Sequence, residues 1–277
     1  ANNKMFTEPV SSLINGLTIG TNPIFSDSLY NKFINAGLIH VVVVSGYNIS
    51  LIYKYFGYLF LFINNRYVKY TTISMFVFLY CAIVGFEAPV LRAFLMGTIA
   101  GLGVSFGVVR NLIYILFSSF FISLIISPYL AVGSSIYLSF SATFGILFAY
   151  PRINHLKLFT LHEKIKNKYL KFITKDFLDN LAVTVSAQLF VIPILLLFFD
   201  KLNFVGFVSN PVLLWIVPFL TIFGFLNVLL YSVGGLYLSY IFIKIMSFLA
   251  TLFNKGVSLF NQIDFININL QINVLTA

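Results

Sequence analysis

Within "GLIHVVVVSGYNIS" (37–50) three side chains could do polar chemistry: the His40 imidazole, the Ser45 hydroxyl and the Asn48 amide. An imidazole can take or give a proton near neutral pH, and the other two donate and accept hydrogen bonds. In so apolar a run they either find partners inside a packed bundle or line a path for something polar. Others share this situation. Glu87 and Arg92 flank Pro89 in "GFEAPVLRAF", close enough to pair across a helix break; Gln188 precedes Pro193 in "SAQLFVIP"; Asn210-Pro211 is placed to open a further helix. Lys54 lies in the same apolar run as His40. Acid–base or metal chemistry has little to work with. The three histidines, at 40, 155 and 162, do not fall in a zinc-ligand spacing, and "HEKIK" lacks the second histidine of a zinc-protease pair. The single cysteine, Cys81, can form neither an intrachain disulfide nor a cluster. Gly101, Gly103 and Gly107 sit inside an apolar run and serve close helix packing rather than a phosphate loop. No catalytic residue, no metal and no cofactor is expected of this chain.

The elements that carry these residues follow from composition. Of 277 residues, 60% are hydrophobic and 9% charged, with mean hydropathy +0.97. A water-facing surface needs about a quarter of residues charged, so this surface faces lipid. Apolar runs approach or exceed the ~20 residues that cross a bilayer: 38–63, 67–86, 89–109, 112–126, 129–149, 181–199 and 203–243. The last is long enough to turn once, at Gly234-Gly235, which gives about eight spans. The expected fold is all-α: a polytopic transmembrane bundle with broken helices and a short β-like tail. The 33 phenylalanines and 16 tyrosines read as lipid-facing bulk and interfacial anchors.

Outside the spans, residues 1–37 form a lead-in expected outside the cell or at the membrane surface. It lacks the basic start and apolar core of a signal peptide. Within it "SDSLYNKFINAG" predicts a short amphipathic helix capped by Ser26 or Asp27 and ended by Gly37. The transmembrane domain occupies 38–263. Residues 264–277 alternate, with Ile266, Ile268, Leu270, Ile272 and Val274 on one face, a strand pattern that needs a partner strand. The loop 150–179 holds seven of the seventeen basic residues and is cytoplasmic by the positive-inside tendency. Arg110 and the Arg66/Lys69 turn agree in parity, so the N-terminus is expected outside. Topology and attraction to anionic lipid account for most of the +9 net charge without any nucleic acid. On these grounds alone, a solute path and a dry scaffold stay equally open.

Four blocks carry a resemblance. "GLIHVVVVSGYNIS" is similar to the G-L-x-H-L-L-A-x-S-G-x-H signature of the ComEC-type competence proteins, the DNA-internalisation channels of bacterial inner membranes. "VLRAFLMG" (90–97), "SPYLAVGSSIYLSFSATFGILFAYP" (127–151) and "SAQLFVIPILLLFFDKLNFVGFVSNPVLLWIVP" (186–218) resemble later blocks of that family in the same order. The resemblance implies a channel subunit importing single-stranded DNA across the cytoplasmic membrane during natural transformation. It carries His40, Ser45, Gly46, Arg92, Ser139, Gln188, Pro193, Asn210 and Pro211 as motif residues. Asn48 stands where the family has a second histidine, keeping hydrogen bonding without the option of a positive charge. The partners implied are single-stranded DNA, the bilayer, and separate DNA-receptor, nuclease and cytoplasmic motor proteins. The OB-fold and metallo-β-lactamase-like domains of larger relatives have no counterpart in these residues. A transporter of another polar or anionic solute, or a non-conducting membrane scaffold, is the alternative.

Overall fold

The computed structural model describes residues 10–20, 27–38, 45–108, 111–156, 159, 167–199, 201–202, 204–232, 236–262 and 268–269. Eleven α-helices run through them in order: α1 Val10–Ile19, α2 Asp27–Asn35, α3 Gly46–Leu59, α4 Arg66–Val84, α5 Ala88–Ser105, α6 Leu112–Ile126, α7 Ser134–Ile153, α8 Lys168–Phe199, α9 Gly206–Leu213, α10 Ile216–Ser232 and α11 Leu236–Asn261. A 3-10 turn, Pro128–Ala131, joins α6 to α7. The polytopic all-α bundle expected from composition is the fold observed.

Asparagines set several helix starts. Asn65 Oδ1 accepts from the Tyr67 and Val68 amides at 2.9 and 3.3 Å, Asn111 from Ile113 at 3.0 Å, and Asn167 from Tyr169 at 3.0 Å. Each closes amides that the first helical turn leaves without partners. Gly85 ends α4 at φ 103°, a conformation open to glycine and costly for other residues.

The eight expected spans correspond to α3–α8, α10 and α11. Five of them (α4, α5, α7, α8, α11) are long and apolar enough to cross a membrane. A sixth crossing forms if α9 and α10, bent by 51° between Leu213 and Ile216, are one broken span. At 14 and 15 residues, α3 and α6 are shorter, reaching about 21–23 Å at 1.5 Å per residue against a ~30 Å hydrocarbon core. The expected turn at Gly234-Gly235 lies outside the described residues, between the end of α10 and the start of α11.

Neighbours run antiparallel, and cross-contacts identify the two ends of the bundle. At one end Ser105 Oγ lies 3.4 Å from Arg66 O, joining the end of α5 to the start of α4. At the other, Tyr137 near the start of α7 stacks on Phe198 near the end of α8 (5.9 Å). There too β1, Lys201–Leu202, pairs antiparallel with β2, Ile268–Asn269, with Lys201 opposite Asn269. Two residues of the alternating tail thus find their partner strand just after α8.

Three features depart from the sequence reading. Residues 168–180 are not loop: α8 begins at Lys168 and spans 32 residues, about 48 Å. Leu178 and Ala182 are buried one turn apart and draw the basic segment into helical register, so roughly 18 Å of α8 exceeds a ~30 Å hydrocarbon core. Asn210 and Pro211 sit inside α9 rather than opening a helix; the break comes after them, at Leu214-Trp215. And α1, for which the sequence reading gives no element, is the most enclosed helix of the lead-in. Leu13, Ile14 and Leu17 are fully buried against Leu213, Ile216 and Leu220 on one side and Met246, Ala250 and Phe253 on the other. The amphipathic α2 forms as expected, with Gly37 at φ 70°, and buries Phe33 against Phe253 (ring centroids 6.2 Å).

Candidate functional site

Ser45 has extended backbone (φ −94°, ψ 162°), and α3 begins at the next residue, so one helix does not run from 38 through 50. His40 lies outside the described residues. Ser45 makes no side-chain cap bond; its carbonyl accepts from the Asn48 amide at 3.0 Å. The helix start carries a partial positive charge, and Gly46 there packs against Pro89 and Arg92 of α5.

Gly46 makes that approach possible. A Cβ there would stand 2.5 Å from Arg92 Nη2, so the guanidinium would have to move, and 3.0 Å from Pro89 O, a tight contact with backbone. Arg92, the fifth residue of α5, reaches between α3 and α7: its Nε donates to Ser139 Oγ at 2.8 Å, and its Nη1 lies 4.0 Å from Met96 Sδ. Ser139 is held in turn by its helix, its carbonyl accepting from Thr143 Oγ1 at 3.0 Å. Three of the resembling blocks thus meet in one group: the start of α3, Arg92 and Ser139.

The expected Glu87–Arg92 pair does not form. Glu87 is the exposed residue just before α5, five positions from Arg92. At about 100° per residue the two diverge by roughly 140° around the helix. Glu87 instead sits where the helix start favours a carboxylate. Arg92, directed at a serine and a thioether, meets no carboxylate among the described residues.

Within the first turn of α3, Asn48 serves a different purpose. It is fully buried: Nδ2 donates to Leu17 O at 3.5 Å, and Oδ1 lies 3.5 Å from Thr221 Oγ1, a donor that it shares with Val217 O at 3.0 Å. Beside it Tyr80 Oη donates to Thr18 O at 3.1 Å. Leu17 and Thr18 belong to the last turn of α1, whose carbonyls lack helical donors. Asn48 and Tyr80 supply those donors from α3 and α4. Neither Tyr80 nor Thr221 was singled out in the sequence; no local pattern marks either.

The remaining motif residues lie elsewhere. Gln188 is partly buried on α8, and Pro193 is exposed further along the same helix. Asn210 and Pro211 are buried on α9, where Ser209 Oγ donates to Ala36 O at 2.6 Å and fixes α9 to the end of α2. Asn210 Oδ1 is buried without a hydrogen-bond partner. No hydrogen bond joins Gln188, Pro193 or Asn210 to the Arg92 group among the described residues. No three His, Cys, Asp or Glu side chains come together there either.

Chemically, a partly buried guanidinium beside a helix start offers two sources of positive potential to an anion, and a hydroxyl beyond it. Such a group can bind and release a phosphate. No curated protein and no solved structure matches the chain. A family model described as "Competence protein" matches residues 17–277, which takes in α3 and every motif residue above. With that match across nearly all of its length, the chain belongs to the competence-protein family.

Proposed function

We propose that this chain is a channel subunit that passes single-stranded DNA across the cytoplasmic membrane. Membership of the competence-protein family supports a role in DNA uptake. The observation that carries the finer reading is Arg92, a cation on a membrane-length helix with Ser139 and the start of α3 as its polar company. Arg92 stands about 6 Å from the start of α5, where a charge costs less than the ~2.5–3.5 kcal/mol it would cost at the bilayer centre; a backbone phosphate passing the group would draw on the guanidinium and on the amides at the helix start. Backbone contacts carry no base preference, as a conduit for DNA of any sequence requires. The basic end of the bundle, with Arg66, Lys69, Arg152 and the start of α8, faces the cytoplasm.

Deleting the gene and measuring labelled DNA separates transport from binding. Entry into the cytoplasm should be lost while surface binding of DNA persists; undiminished entry would end the proposal. For orientation, a cysteine in place of Lys166 should resist an impermeant thiol reagent added to intact cells, and free labelling would reverse the assignment.

A further inference from the structure

A second polar feature lies on the outer side of the bundle, away from the Arg92 group. Helices α3, α4 and α5 border an open groove of about 370 Å³ near the basic end, lined by Lys54, Gly57 and Tyr58 of α3, Lys69 and Tyr70 of α4, and Gly101 of α5. Glycines shape it. Gly101 lets the Tyr70 ring lie against the helix, where a Cβ would meet Cδ1 at 3.0 Å. Tyr53 on the adjoining wall is fixed by its hydroxyl, which lies 3.1 Å from Phe94 O and 2.7 Å from Thr98 Oγ1. The walls are thus held in place, and the two lysines are the charged groups at the opening.

Neither lysine meets a carboxylate among the described residues. Two like charges lining one groove repel each other, and each is costly in hydrocarbon. Their depth relieves part of that cost. Lys69 is in the first turn of α4, and Lys54 is five residues from the end of α3, about 7 Å along the axis. Both ammonium groups can therefore reach the headgroup layer while their stems lie along apolar surface. Exposed Leu61 and Tyr58 flank the opening on the lipid-facing side.

We infer that this groove binds the phosphate headgroup of an anionic phospholipid. A phosphodiester between Lys54 and Lys69 meets positive charge on both sides, and the wall at Tyr53, Gly97 and Ala100, deeper along the helices, receives the first part of an acyl chain. A headgroup suits the depth, the lipid-facing mouth and the volume better than a nucleotide strand, which needs a continuous basic track.

The test uses the full chain purified in detergent, with retained lipid counted by native mass spectrometry and thermal stability followed in parallel. Phosphatidylglycerol should be retained in preference to phosphatidylcholine by about twenty-five-fold, since each of the two lysines near an anionic surface contributes roughly a factor of five. Inorganic phosphate should not stabilise. The preference should collapse in the Lys54→Gln/Lys69→Gln double variant. It should also collapse in Gly57→Leu, which keeps both charges but fills the groove; a Cβ at Gly57 meets nothing within 4 Å, so the variant has room to fold. Equal retention of the two lipids by the unaltered protein, or an unchanged preference in both variants, overturns the site. Stabilisation by inorganic phosphate as strong as by phosphatidylglycerol overturns the lipid assignment. So does stabilisation by a single-stranded oligonucleotide that the same variants abolish.

Discussion

Two polar groups meet the first turn of α3, two residues apart, and they behave differently. Asn48 is enclosed, and both ends of its amide are engaged by protein. The Gly46–Arg92–Ser139 group is only partly buried, and its guanidinium is held by a single short hydrogen bond to a neutral hydroxyl. The first is a closed joint that completes the last turn of α1. The second keeps donor capacity in reserve. Polarity at membrane depth therefore does not by itself mark a path; what matters is whether the polar atoms are already spoken for.

The sharpest way to break this contrast is Arg92→Gln. Loss of a charged contact to a passing phosphate, at roughly 1.5–3 kcal/mol, should lower labelled-DNA uptake about ten- to a hundredfold with the protein still in the membrane fraction. Arg92→Lys keeps the charge but not the planar fork, and should fall between that variant and the unaltered chain. Next comes Gly46→Val. Its Cβ would displace the guanidinium and press on Pro89 O, and overpacking of about 1–3 kcal/mol should reduce uptake about tenfold. Asn48→Ala tests the other side: thermal stability in detergent should drop by about 2–4 °C for a loss near 1 kcal/mol, with uptake changed less than by Gly46→Val. If Asn48→Ala instead stops uptake at unchanged stability, the joint is part of the path. The smallest effect is expected of Glu87→Gln, an exposed substitution within about 0.5 kcal/mol; a marked loss of uptake would restore a role for that carboxylate.

Much of this architecture is written in run lengths. Each long apolar stretch becomes a helix, and the break before Gly46 is foreshadowed by a serine–glycine step in the middle of one. What escapes is pairing at a distance. Arg92 and Ser139 are 47 residues apart, and nothing local to Arg92 distinguishes Ser139 from Glu87 as its partner. Glu87 looks better in sequence because it is near, yet helical phase turns it away. Helix α1 escapes for another reason: it is as apolar as the membrane-length helices, yet its ten residues are too few to register as a span. The start of α8 is concealed by its lysines, because charge reads as loop even where buried Leu178 and Ala182 continue a helical phase.

The position of α1 and α2 sets the order in which this protein can be assembled. Ribosomes deliver the chain from its first residues onward, yet the surfaces that receive these two helices arrive late. Ser209 closes on Ala36 across 173 residues, and Asn35 meets Asn261 across 226. Until α10 and α11 have entered the bilayer, Leu13, Ile14, Leu17 and Phe33 have no permanent seat. Helices α1 and α2 must wait in the interface or in the care of an insertase until α11, made more than 200 residues after them, closes on them.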